Sequence, residues 1–380
     1  DWNDALDMAD ARGESVAFTC AYIGNLRDLA DTLETYKNRC HENDILLAKE
    51  MEILFSQKMD TYASNEKRNE VLSTYADQCV HNISGEQIRV DIDTLVADLR
   101  EKADWYAQFI RNHEWVSDEE GRGWFNGYYD NSGRQVEGVI DGNVRMMLTG
   151  QVFSIMGNVA DDAQVKSITE SADKYLYKKD IGGYRLNTDF KEEKFDLGRM
   201  FGFAYGEKEN GAVFSHMTVM YANALYQRGF VWEGYKALYT LLGQAMDLEV
   251  SRMYPGIPEY FDAQGRGKYP YLTGAASWYM MTVVTQIYGF RGLWGDLMIE
   301  PKILLEQFDT EGNFSAEIPY RGQTFSVVYQ NPGRKEYGKY QIGEIWIDGT
   351  LYKEANAKSV CIPFREFEEQ NTHTLRIVLK

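Results

Sequence analysis

Three short stretches hold the residues that could do chemistry. The first is Asp1-Trp2-Asn3-Asp4, where carboxylates flank an indole. A ring beside a carboxyl group offers a flat apolar face to a sugar and a poorly solvated setting that raises the carboxyl pKa toward that of a useful acid. Asp and Asn are equally ordinary loop and cap residues, so four letters leave both readings open. The second is KENGAVFSHM, with Lys208, Glu209, Asn210, Gly211 and His216. His216 stands just inside an apolar helical pattern, as a hydrogen-bonded core histidine or as a functional one. The third is YLTGAASWYMM. Thr273 is suited to cap a helix there, and Gly274, Ala275 and Ala276 leave its first turn bare. A hydroxyl and free backbone N–H groups could then meet an anion, although a plain capped helix packed through small residues has the same pattern.

Composition narrows the choice of ligand. With 58 acidic against 40 basic residues the formal charge is −18, which repels phosphate backbones and anionic lipids, so nucleic acid and membrane are not expected partners. A small anion must then be held by local donors. The chain carries 26 Tyr, 18 Phe and 8 Trp, and carboxylates together with rings suit a carbohydrate-active protein, although most such rings belong to cores. Cys20, Cys40, Cys79 and Cys361 lack CxxC or Cys/His spacing, so neither a disulfide framework nor a metal site is expected and a cytoplasmic location fits. Walker, GxSxG, HExxH and GxGxxG motifs are absent.

The elements that must position these stretches are mainly helical. Leu26, Leu29, Leu33 and Tyr36 recur at three- and four-residue spacing, and helices are expected at roughly 43–80, 91–112, 143–158, 161–176, 212–228, 231–247 and 274–288. Residues 124–138, WFNGYYDNSGRQVEG, read as a long loop or hairpin. From about 296 the texture alternates apolar with polar residues between turns, which predicts an antiparallel β-sandwich with a tight hairpin at IDGT. The expected organisation is therefore mainly α over residues 1–295 and β over 296–380.

Taken together, the DWND, ENG-x-F-x-H and TG-A-A-x-W stretches, in that order, resemble glycoside hydrolase family 94, the inverting phosphorylases. The resemblance implies a general acid at Asp4, a site-lining ring at Trp2, phosphate held by His216, Thr273 and Gly274, and a lysine toward the acceptor sugar at Lys208. Trp124, Phe125, Tyr128 and Tyr129 become suspects for the acceptor subsites. The family fold has an (α/α)6 barrel followed by a C-terminal β-sandwich. The helices counted here fall short of twelve and the chain opens inside its first motif, so the expectation is the C-terminal part of a larger enzyme, inactive alone. Inorganic phosphate is the implied co-substrate, with no metal or organic cofactor and with a homodimer for the complete enzyme. SRMYPGIPEYFDAQGRGKYPYLTGAASWY and IGGYRLNTDF are most similar to 1,2-β-oligoglucan phosphorylases. Two rival readings are a barrel hydrolase that uses water with a second essential carboxylate, and a glucan-binding module without catalysis.

Overall fold

The computed structural model of the chain describes residues 2–55, 58–254, 256–270, 274–367 and 370–380; Asp1 and Thr273 lie outside the described residues. The chain forms two compact units, one of Asp1–Phe18, Trp115–Met156 and Ala160–Lys380, the other of Thr19–Glu114 and Gly157–Val159.

In the second unit, helix α1 (Val16–Cys40) buries Ile23, Ala30 and Leu33, while Leu29 and Tyr36 of the expected face are exposed. The stretch 43–80 is not one helix. Asp44–Ala48 is a strand paired antiparallel with Gln87–Asp91, and only α2 (Asn65–Cys79) is a sustained helix, its start capped by Ser64 accepting from the Lys67 N–H at 3.3 Å. Helix α3 (Ile92–His113) is capped by Asp91, which accepts from the Thr94 N–H at 2.8 Å, and sets Ile92, Leu95, Val96 and Leu99 against Ala30 and Leu33.

The first unit contains α4 (Leu148–Met156), α5 (Asp162–Tyr175), α6 (Ser215–Gln227), α7 (Val231–Met246) and α8 (Gly274–Thr282), the last running on into a wider π turn over Val283–Ile287. Helix α5 opens on a reciprocal cap, Asp161 accepting from the Gln164 N–H and Gln164 from the Asp161 N–H, which satisfies two otherwise orphaned donors. Helix α6 packs against α4, α7 and α8, and every residue from Met217 to Tyr226 is buried. Residues 124–138 belong to a run of short antiparallel pairings: Trp115–Ser117 with Gly123–Phe125, Tyr129 with Gln135, and Gly138–Ile140 with Asn143–Arg145.

The β part begins at Phe290, six residues before the expected boundary, because Phe290–Leu293 already pairs with Asp296–Ile299. It holds a three-stranded sheet completed by Val360–Ile362 and a five-stranded sheet in the order Asn313–Tyr320, Gln323–Gln330, Thr372–Leu379, Ile342–Ile347, Thr350–Ala357. The sheet is not purely antiparallel. The last strand enters between two earlier ones and runs parallel to Gln323–Gln330. The hairpin at IDGT forms as expected, with Asp348 at φ 49° and Gly349 at φ 81°, the paired positive values of a two-residue turn matched to strand twist. The Asp348 carboxylate also accepts from the Thr374 N–H at 2.7 Å and meets His373 Nδ1 at 2.8 Å, which ties the turn to the last strand.

Lys302 and Gly289 are two of the points at which helices and sheets of this unit meet. The buried Lys302 ammonium donates to the Tyr226 carbonyl at the end of α6, at 2.8 Å, and to Gln286 Oε1 at 3.1 Å. Gly289 turns the chain out of the π turn with φ 61°, and a Cβ there would stand 1.8 Å from the Glu300 carbonyl oxygen. Gly243, exposed on α7, has nothing within 4 Å of the same added atom. Gly289→Ala should therefore lower the thermal midpoint, costing about 2 kcal/mol or more through strain and a backbone clash. Gly243→Ala should raise it by roughly 0.5–1 kcal/mol of helix propensity. Equal melting temperatures for the two variants would contradict this account.

Candidate active site

Residues 3–8 are pinned by one buried side chain and by backbone contacts to the 197–200 segment. The Asn3 side chain is buried and accepts from the Ala5 N–H at 3.2 Å, the Met8 N–H donates to the Leu197 carbonyl at 3.1 Å, and the Met200 N–H donates to the Ala5 carbonyl at 3.2 Å. The approach is close enough that a Cβ on Gly198 would stand 2.0 Å from the Ala5 oxygen. Glycine is the residue that lets this turn lie flat on the 197–200 segment. Arg199 then reaches both neighbouring acids, donating to Asp7 at 2.6 Å and pairing with Asp4 at 3.3 Å.

Pinned in this way, Trp2 meets His216. The indole packs edge-on against Phe214, centroids 5.3 Å apart, and against the His216 ring at 5.8 Å. Phe214 ends the two-residue strand Val213–Phe214, which pairs with Tyr260–Phe261, and the Ser215 N–H donates to the Glu259 carbonyl at 2.9 Å. That short strand sets the register with which α6 begins, so His216 occupies its first turn. On its other side His216 faces Trp278 of α8 at 5.8 Å, and the first residue of α8, Gly274, lies against it. A Cβ on Gly274 would stand 3.2 Å from His216 Cε1 and 3.4 Å from each ring nitrogen.

Burial lowers the His216 pKa below its ordinary 6.5, because removing water penalises the imidazolium. Its Nε2 is buried with no hydrogen-bond partner among the described residues. A buried ring nitrogen without a partner costs free energy unless a ligand meets it.

Charged groups collect near one another on the segments that adjoin these elements. The Lys208 pKa is raised, first by its hydrogen bond with Tyr269 and then by the carboxylates of Glu209 and Glu259; its ammonium lies 4.4 Å from the Tyr269 ring centroid. Burial pushes the Glu259 carboxyl up and the charges of Glu209 and Asp4 push the same way, while Lys208 opposes them. Asp4 itself is open, its side chain 78% exposed. Trp2 therefore does not provide the poorly solvated setting expected for this acid, since its ring is turned to Phe214 and His216. Among the described residues no group of three His, Cys, Asp or Glu side chains could hold a metal ion.

The structure thus brings Trp2, His216 and Gly274 into contact, while Asp4 and Lys208 meet through the Glu259 carboxyl that both influence, and Thr273 falls outside the described residues. Trp124 and Tyr128 are not part of this group. Trp124 is fully buried, its Nε1 donating to the Arg145 carbonyl at 3.1 Å and its ring against Tyr175. Phe125 and Tyr128 are buried as well, and Tyr129 is half-buried in the pairing with Glu14. No face of the Trp124 indole is open to a sugar, which corrects the acceptor-subsite expectation for that ring. Arg199, Glu259, Tyr269 and Trp278 join the site unanticipated. Trp278, Glu259 and Tyr269 lie inside the 251–279 stretch, whereas nothing in the local sequence marks Arg199.

Residues 89–289, more than half of the chain, match the glycosyl hydrolase 94 superfamily catalytic domain. The chain belongs to that family. It is similar to a cellobionic acid phosphorylase of Neurospora crassa, at 24% identity over 50% of this chain and 25% of that protein. It is also similar to an N,N'-diacetylchitobiose phosphorylase of Vibrio proteolyticus, at 26% over 60% and 28%, and to a solabiose phosphorylase of Paenibacillus borealis, at 23% over 67% and 33%. The chain therefore spans a quarter to a third of the length of these relatives. Among solved structures, a family GH92 alpha-mannosidase of Bacteroides thetaiotaomicron aligns over 87% of this chain and 42% of its own at 11% identity, with a TM-score of 0.28, too distant to bear on the fold.

The lowered pKa leaves His216 neutral at pH 7, and a phosphate dianion placed against it would favour the charged form. In an NMR titration His216, assigned by loss of its signal in His216→Gln, should titrate below 6.5 alone and at a higher pH with inorganic phosphate present. A titration indifferent to phosphate would show that the ring does not face the anion.

Proposed function

We propose that the complete protein carries out inverting phosphorolysis of β-linked glucooligosaccharides, with β-1,2-linked chains as the substrate class and α-glucose 1-phosphate as product. The observation that carries this reading is the meeting of Trp2, His216 and Gly274 from three distant stretches around one ring nitrogen without a partner among the described residues. Membership of the glycosyl hydrolase 94 superfamily supports it, and the word phosphorylase is common to the names of all three relatives. The β-1,2 preference rests on the similarity of residues 181–190 and 251–279 to 1,2-β-oligoglucan phosphorylases. The four free cysteines fit a reducing compartment such as the cytoplasm.

In the forward direction Asp4 gives its proton to the glycosidic oxygen as the bond from that oxygen to the anomeric carbon breaks. A phosphate oxygen forms the new bond from the opposite face, which inverts the configuration. Phosphate is already an anion, so no protein base is needed to activate it, in contrast to an inverting hydrolase, which needs a second carboxylate for water. In reverse, Asp4 takes the proton of the acceptor hydroxyl. His216, Thr273 and Gly274 hold phosphate through neutral donors. Lys208 reaches the acceptor side from its place over Tyr269. Asp4 is open in this chain, so the bound sugar itself supplies the cover that removes water from the acid.

Two measurements test this. Supplied with α-glucose 1-phosphate and glucose, sophorose, cellobiose or laminaribiose, the complete enzyme should extend its preferred acceptor through a β-1,2 bond. Release of sugar without phosphate would favour the hydrolase, and glucan binding without any turnover would favour the binding module. Asp4→Asn should abolish turnover. His216→Ala and Gly274→Ala, each disturbing about one contact to a charged ligand, should raise the phosphate KM roughly 10- to 100-fold and leave the sugar KM nearly unchanged. Unchanged phosphate dependence in both variants would remove His216 from the assignment.

A further inference from the structure

The outward face of α7 carries side chains that the proposed phosphorolysis does not use. Trp232, Tyr235 and Tyr239 recur at i, i+3 and i+7, which lines them along one side of a helix. The other side is committed to the core through Val231, Ala237, Leu238 and Leu241. Trp232 is 50% exposed and Tyr239 63%, where an ordinary amphipathic helix would present charge to water. Tyr235 and Tyr239 are stacked, with centroids 5.4 Å apart and planes 28° apart. Together with Asp173 and Lys236 they border an open hollow of about 550 Å³.

The polar groups of this hollow are held in place. The Lys236 ammonium lies 4.1 Å from the Tyr177 ring centroid and 2.7 Å from Asp173 Oδ1, so a cation and a carboxylate are fixed among the rings. An apolar protein partner would strip water from this ion pair and offer no hydrogen bonds in exchange, at a cost. A pyranose would offer them. Its C–H-bearing face carries partial positive charge and meets the electron-rich face of an aromatic ring, while its hydroxyls both donate to a carboxylate and accept from an ammonium. Seven residues of helix separate Trp232 from Tyr239 by about 10 Å along the axis, which leaves room for consecutive rings of one chain.

We propose that the outer face of α7 is a second carbohydrate-binding site, taking a β-glucooligosaccharide across Trp232, Tyr235 and Tyr239, built from none of the residues around His216. The choice of ligand class rests on the function proposed above. The site holds a long substrate by a region remote from the reacting bond, so it raises the local concentration of chain ends and leaves the chemical step unchanged.

The test is electrophoresis of the complete protein through native gels containing soluble linear β-1,2-glucan, with a gel free of glucan as reference. The protein should be retarded by the glucan, and Trp232→Ala/Tyr239→Ala should weaken that binding at least fivefold. Both rings are largely exposed, so the fold should persist, as circular dichroism can check, and phosphorolysis of a disaccharide should stay within twofold. Asp4→Asn, inactive under the function proposed above, should be retarded like the unsubstituted protein. Retardation that survives the double substitution, or none in the unsubstituted protein, overturns the second site. So does a double variant with unchanged glucan affinity but a halved sedimentation mass, which makes this face a subunit contact. If Asp4→Asn keeps full turnover while the double variant loses glucan binding, the catalytic assignment falls and the second site stands.

Discussion

The first unit depends on one helix being buried on nearly every side. Helix α6 is covered along its length: α4, α7 and α8 pack around it, and within Ser215–Gln227 only the half-buried His216 and the exposed terminal Gln227 meet solvent. A helix in that position cannot rotate or slide without opening a core in which small shifts are costly. Its two ends are therefore fixed points. Its C-terminal end, where carbonyls are left over and the dipole is negative, receives the buried Lys302 ammonium on the Tyr226 oxygen, a favourable place for a cation. Through that bond the β-sheets are registered to the helices. The other end carries His216 in its first turn, so the same constraint that joins the helices to the sheets places the ring at the candidate site.

What surrounds His216 follows from backbone proximity more than from polar attraction. Gly198 lets the DWND turn lie on the 197–200 segment, and Gly274 brings the start of α8 against the imidazole. Trp2 and Trp278 then close the ring from two sides. The result is a histidine held by packing, with its Nε2 unpartnered among the described residues. Such a group is costly as structure and useful as a binding element, because a ligand that satisfies Nε2 recovers what folding left unpaired.

The sequence was legible where chemistry and local order coincide. The periodicity of 161–176 and 231–247 reproduces α5 and α7 closely, and the three motif stretches contain Trp2, His216 and Gly274, which the fold sets in contact. Legibility failed where a partner lies far along the chain. DILLA reads as part of an apolar helix because its pairing partner, Gln87–Asp91, is about forty residues away, and strand identity is decided by pairing. The last strand reads as antiparallel for the same reason, since nothing in THTLRIVL states which neighbours it enters between. Trp124 and Tyr128 show a different failure. A segment rich in Gly, Asn and aromatics has the composition of an exposed loop, but α4 and α5 cover it, and Gln151 of α4 bonds the Phe125 backbone through both N–H and C=O. Arg199 was invisible because it matters only through what the fold sets beside it.

A protein of net charge −18 that binds phosphate as proposed above faces a specific electrostatic problem, which the arrangement around His216 addresses. The nearby carboxylates of Asp4, Glu209 and Glu259 are partly offset by Arg199 and Lys208, so no strong positive field is available to concentrate an anion. Neutral donors can still bind a dianion where water is excluded, since hydrogen bonds to a charged group are stronger than those between neutral ones. They also avoid a cost that permanent cations would impose. A fixed positive charge at the phosphate would stabilise free phosphate, the transition state and sugar phosphate alike, and uniform binding of that kind does not speed the chemical step. A neutral imidazole that can gain a proton responds to the charge that arrives. In the proposed reaction, then, burial keeps His216 neutral until an anion arrives, so the empty site carries no fixed positive charge at that ring.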